Sequence, residues 1–247
     1  MVKKIKTHLI ALTLMFSFAL FTAAQAINPE TPASQATPAH VNAFQSTTFD
    51  FTGEVAPVTN WEVNELVSTA SSYINAYWKN VFAANGLRYV APTVYRSPQR
   101  IQNALYVPSA HAIYYDYDFF YAQMIKHGDF AVVTILAHEW GHAIQALMER
   151  QGRLSPNRYD IEKELKADCF AGAFAKNESR TPRLESNDIA KAISSLMEAG
   201  DHQTISIYAP NAHGTSQKRQ TAFANGFRYG VEGCACTSIA TIAVATR

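Results

Sequence analysis

The chain is predicted to fold as an α+β domain, a small and mostly antiparallel sheet packed on helices. Three observations carry that expectation. Apolar residues recur at helical spacing in several long segments. Two short β-like runs around residues 104–117 are joined by Pro108-Ser109-Ala110, which reads as a hairpin. After Asp129 the pattern is mostly helical, so the C-terminal half is expected to be helical.

Lys3, Lys4 and Lys6 precede an apolar run over residues 9–21, and Ala24-Gln25-Ala26 follows as a small-x-small cleavage pattern. Residues 1–26 therefore read as a signal peptide. The run is shorter than the roughly 20 residues a spanning helix needs, so no stable membrane insertion is expected after cleavage. Removing three lysines changes the formal charge from +1 to −2. No basic run calls for nucleic acid. Residues 27–58, rich in Pro, Thr, Ser and Ala, read as a flexible leader or linker, and 59–247 as one domain.

Within that domain Val63, Leu66, Val67, Ile74, Trp78 and Phe82 give one apolar helical stripe over residues 61–82, and Asn85-Gly86 suits a left-handed stop. Residues 87–95 are β-like, with Pro92 marking an edge or a break. Strands are expected over 104–107 and 112–117, with Tyr106, Tyr114, Tyr115 and Tyr117 on a half-buried sheet. Helices are expected over 129–148, 160–174, 188–198 and 215–226. An exported chain meets an oxidising compartment, so Cys169, Cys234 and Cys236 can form a disulfide with one thiol left over. Their pairing stays open. A Cys234–Cys236 bond would close a small ring.

The chemistry lies in the helix expected over 129–148. His138-Glu139-Trp140-Gly141-His142 sits inside its apolar pattern. Successive helical residues turn by about 100°, so both imidazoles share a face one turn apart and can bind one Zn2+. Glu139 lies beside that face, placed to act as a general base on water. Two core histidines satisfied by hydrogen bonds are the bland alternative, although a buried His pair needs partners. A third histidine six residues on is absent, because Met148 stands there. The next helix offers Glu164, 22 residues after His142, as the third ligand. Asp168, one turn further, suits the carboxylate that accepts a ligand histidine's other N–H. Glu162 faces elsewhere and reads as a solvated charge. Gly141 and Ala171-Gly172-Ala173 suit helices that must converge on one ion.

The stretches His138 to His142, Glu164-Leu165-Lys166-Ala167-Asp168-Cys169-Phe170-Ala171-Gly172, and His213-Gly214-Thr215-Ser216-Gln217-Lys218-Arg219 with Phe223 and Gly226 resemble the bacterial neutral zinc metallopeptidase family, which is gluzincin-like. The hairpin from Tyr106 to Tyr117 and Cys236-Thr237 are similar too. The resemblance covers about 60–240. It implies a zincin-like fold with an active-site helix under a short sheet, and one catalytic zinc on His138, His142 and Glu164. It also draws attention to His213 as a catalytic stabiliser of a developing oxyanion, with Tyr114 and Tyr208 as lesser candidates. Arg219 would pair with a carboxylate or with solvent. Val107 stands where the family often carries a cysteine, which alters the disulfide arrangement and leaves Cys234 to compensate.

The function these features predict is an exported zinc metallopeptidase, periplasmic or secreted, cleaving peptide or protein substrates as an endopeptidase rather than an exopeptidase. The strand over 112–117 is expected to hold the substrate by edge pairing. A catalytically silent zinc-binding scaffold and a cell-wall peptide hydrolase are the alternatives. Oligomeric state is not legible.

Overall fold

The structure, a computed structural model, describes residues 60–236, with side chains from 62 to 234. The expected signal peptide (1–26) and leader (27–58), and the last residues, lie outside that range. Six α-helices and a three-stranded sheet form the described domain. Helix α1 (Asn60–Ala84) buries Val63, Leu66, Val67, Ala70, Ile74, Trp78 and Phe82 along one stripe. Trp78 and Tyr77 meet Phe170 and Phe174 edge to face, with centroids 5.3 and 5.8 Å apart. The stripe repeats every three or four residues, the spacing a helix needs to present one face. Gly86, at φ +64°, ends the helix in the left-handed region where a Cβ would be strained.

The sheet contains β1 (Thr93–Arg96), β2 (Ala104–Val107) and β3 (Ala112–Tyr115) in the order β1-β3-β2. The expected hairpin is present: β2 and β3 run antiparallel from Ala104↔Tyr115 to Val107↔Ala112. Strand β1 is shorter than the β-like segment 87–95, and it pairs parallel to β3. The sheet is therefore mixed. Strand β3 is central, with both edges paired, so it cannot take up a substrate strand as expected for 112–117. The open edge toward the helices belongs to β2.

The β-like pattern also ends early, at Tyr115. Asp116, in an extended conformation, accepts from the N–H groups of Asp118 (2.9 Å) and Phe119 (3.3 Å) and starts helix α2 (Tyr117–His127). A carboxylate at this position satisfies amides that the first turn leaves unpaired. Gly128, at φ +81°, separates α2 from α3 (Asp129–Arg150) and lets the chain turn without extra residues.

Helix α3 is buried on nearly every side, as a central core helix must be. Helix α4 (Asp160–Glu178) packs on it, followed by α5 (Asp188–Glu198), α6 (Ser216–Tyr229) and a 3₁₀ turn, Gly230–Cys236. Two contacts explain the glycines. A Cβ on Gly141 of α3 would lie 2.9 Å from Ala167 Cα of α4. A Cβ on Gly172 of α4 would lie 2.0 Å from Phe223 O, and one on Gly226 of α6 would lie 1.8 Å from Cys169 O. Gly172 thus serves the α4–α6 contact, not the approach of α3. Cys169 and Cys234 form a disulfide across a sequence separation of 65, fastening the 3₁₀ turn after α6 to the middle of α4. This pairing excludes a Cys234–Cys236 bond.

Candidate metal centre

Helices α3 and α4 cross closely at Gly141 and Ala167, and that approach brings three ligand atoms together. His138 Nε2 lies 3.2 Å from His142 Nε2 and 3.2 Å from Glu164 Oε2, while His142 Nε2 lies 3.4 Å from Glu164 Oε1. Zinc bonds to such atoms at about 2.0–2.1 Å in a tetrahedron, which puts ligand atoms roughly 3.3 Å apart. The triangle has the size of one tetrahedral face. Two nitrogens and a carboxylate with an open fourth position is also the donor set of hydrolytic rather than structural zinc. The three residues fit one zinc ion.

The orientation of His138 is fixed from behind. Its Nδ1 lies 2.8 Å from Asp168 Oδ1. An ionised carboxylate only accepts, so Nδ1 donates to Asp168 and Nε2, which faces Glu164 and His142, is the nitrogen left to bind a metal. Asp168 is fully buried and also accepts from Arg219 Nε and Nη2, each at 2.8 Å. Burial presses the Asp168 carboxyl upward. The Arg219 charge and the His138 contact outweigh it and hold the group below the ordinary carboxylate range.

Carboxylates surround the His138 imidazole. Burial lowers the His138 pKa, but Asp168 and then Glu164 carry it up to about 10. Burial likewise raises the Glu164 carboxyl, and its contacts with His138 and His142 drive it far below the normal range. These opposing shifts share one cause. The site is a dry place where negative oxygens demand positive charge.

Glu139 lines the same cleft, and Oε2 accepts the backbone N–H of Tyr106 in β2 at 2.7 Å. Burial, the largest influence, raises its pKa. The cleft, about 570 Å3, lies between β2 and helices α2, α3 and α5, with Ile135, Phe119 and Leu196 on its apolar wall. His213 lines it from the loop before α6. Asp201 Oδ2 accepts the backbone N–H groups of His213 (2.6 Å) and Gly214 (2.8 Å), and Oδ1 lies 3.6 Å from His213 Nδ1.

His138, Glu139, His142, Glu164 and His213 therefore border one cleft, and Asp168 stands behind it. Three other expectations differ. Tyr114 stacks on Tyr95 and Tyr208 packs against Tyr159, and neither lines the cleft. Glu162 is not simply solvated: it accepts from the N–H groups of Arg158 and Tyr159 at the start of α4. Sequence reading missed Asp201 and the Tyr106 amide. The first carries no local signal, because its partners lie 12 and 13 residues away. The second is a backbone group that any residue would supply.

A family model described as "Putative neutral zinc metallopeptidase" matches residues 27–239. The chain is also similar to Uncharacterized protein YpfJ of Escherichia coli K12, 30% identical over 182 residues, covering 62% of this chain and 63% of that protein. Uncharacterized protein Rv2575 of Mycobacterium tuberculosis is 32% identical over 150 residues, 51% of each chain. The chain thus spans between half and two thirds of the length of these curated relatives. No solved structure matches.

Proposed function

Since the chain belongs to the neutral zinc metallopeptidase family, we propose that it is an exported zinc endopeptidase whose metal is held by His138, His142 and Glu164. The observation that carries this reading is the donor triangle, with edges of 3.2, 3.2 and 3.4 Å. Zinc held there supplies Lewis acidity toward a scissile carbonyl and makes water a better acid.

The chain's own residues do the rest. A peptide binds in extended form along β2. The Tyr106 N–H turns away from β3 toward Glu139, and Ala104, two residues before it, presents its N–H and C=O on the same side. That edge runs beside the donor triangle. Glu139 takes a proton from the attacking water as the new C–O bond forms. It then delivers that proton to the amide nitrogen as the C–N bond breaks, leaving a carboxylate and an amine. Its raised pKa suits a group that must accept a proton and release it again. His213, in a loop whose backbone Asp201 holds, donates to the carbonyl oxygen as negative charge develops.

Export is supported by the leader pattern of residues 1–26 and by the Cys169–Cys234 bond, which suits an oxidising compartment. Among the described residues no helix is long and apolar enough to cross a membrane. The test is zinc content and peptide cleavage of the wild type beside Glu139→Ala. One zinc in both, with cleavage only by the wild type, supports the assignment. Zinc in both with no cleavage across a broad peptide library would make the protein a binding scaffold.

A further inference from the structure

Arg219 is a buried cation that the hydrolysis above does not use, with only 5% of its side chain exposed. It grips the Asp168 carboxylate at two points, Nε on Oδ2 and Nη2 on Oδ1, both at 2.8 Å. Oδ1 is the same atom that receives His138 Nδ1 at 2.8 Å. A third bond, Nη1 to the carbonyl of Ala199 at 3.2 Å, ties the guanidinium to the end of α5. The carboxylate is thus held in one plane and cannot rotate away from the imidazole.

We propose that Arg219 is a positioning residue for the metal centre: through Asp168 it fixes the His138 ring and so sets how tightly the site holds zinc. The inference rests on the ligand assignment above. The fork is what the geometry requires, since a lysine would offer a point charge with no second parallel bond. Arg219 is itself seated by the α4–α6 contact. Gly226, two turns further along α6, packs on the carbonyl of Cys169, the residue next to Asp168. A buried ion pair can also exist merely to offset its own burial. That role would show in folding stability and leave zinc affinity unchanged.

The experiment measures the zinc Kd of the full chain by competition with a chromogenic chelator. The proteins are wild type, R219Q, R219K, D168N, the R219Q/D168N double variant and H142A, with the thermal stability of each metal-free form beside it. Changes to the groups that orient metal ligands weaken binding by about 10- to 100-fold. R219Q should fall in that range, and R219K should recover only part of the loss. The double variant should bind no more weakly than D168N alone, because the arginine acts only through that carboxylate. A lowered melting temperature with zinc Kd unchanged within about twofold overturns the proposal, and so do losses that add in the double variant. If R219Q does not fold, R219K decides: a several-fold weaker Kd supports the proposal and an unchanged one overturns it. Zinc retained at full affinity by H142A would overturn the ligand assignment instead, a separate outcome.

Discussion

Replacing Gly226 by alanine tests how tightly α4 and α6 must close. The added Cβ would lie 1.8 Å from Cys169 O and 2.8 Å from Ala173 N, against a floor of 3.0 Å for real Cβ contacts. The helices must therefore part by at least about 1.2 Å. The obstructing atoms belong to backbone, which cannot swing aside. Overpacking of this kind costs about 1–3 kcal/mol and sometimes more, and this contact belongs at the upper end. Alanine returns about 1 kcal/mol through helix propensity. The net destabilisation should be about 2–3 kcal/mol, or roughly 4–12 °C in Tm for a domain of this size. Urea and thermal unfolding of the disulfide-intact protein would measure it. Gly152→Ala is the comparison: φ is +65° with no atom within 4 Å, so only backbone strain of about 1–2 kcal/mol should appear. A Gly226→Ala protein as stable as wild type would refute the close-approach argument.

Other expectations follow from the same geometry. Cys234→Ser opens a loop of 65 residues and should cost up to about 4 kcal/mol on the chain-entropy account, seen as a lower urea midpoint. A reductant should produce the same shift in wild type and none in the variant. Asp116→Asn keeps a capping oxygen but removes the negative charge at the start of α2, and should cost about 0.3–1 kcal/mol at neutral pH. Burial presses the Asp116 carboxyl upward, but N–H bonds from Gln102, Phe119 and Asp118 win and hold its pKa low. A carboxyl depressed on folding stabilises above its unfolded value of about 3.9 and loses that contribution as pH falls through the folded value. The gap between wild type and Asp116→Asn should therefore be full at pH 7 and shrink below about pH 4, read from urea melts at each pH. His213→Ala should lower kcat by about 100-fold with zinc content unchanged. An effect only on KM would mean that His213 binds substrate without stabilising the reacting oxygen.

Local patterns were the most legible part of the chain. The α3 motif, the α1 stripe and the bounds of α5 depend on residues within a few positions of each other, so periodicity and spacing reveal them. Helix α2 was hidden because Ala112 to Phe120 is aromatic and apolar, a composition that suits a strand. Its only start signal is Asp116, read there as part of a sheet. The partner of β1 was not legible, since strand order depends on contacts between segments distant in sequence. The same limit applies to the site. His138, Glu139 and His142 are neighbours on one helix, and Glu164 and Asp168 share the next. The Arg219–Asp168 pair spans 51 residues and appears only once α6 is folded onto α4. The disulfide was left open for that reason too, because three cysteines allow three pairings.

We propose that one zinc ion sits on His138, His142 and Glu164. Anomalous diffraction at the zinc edge, on crystals of the full chain grown with zinc, addresses it directly. The expected result is a single strong peak about 2.0–2.1 Å from both Nε2 atoms and from a Glu164 oxygen, with Asp168 outside bonding range. A peak elsewhere, or none at this triangle in zinc-loaded crystals, would contradict it.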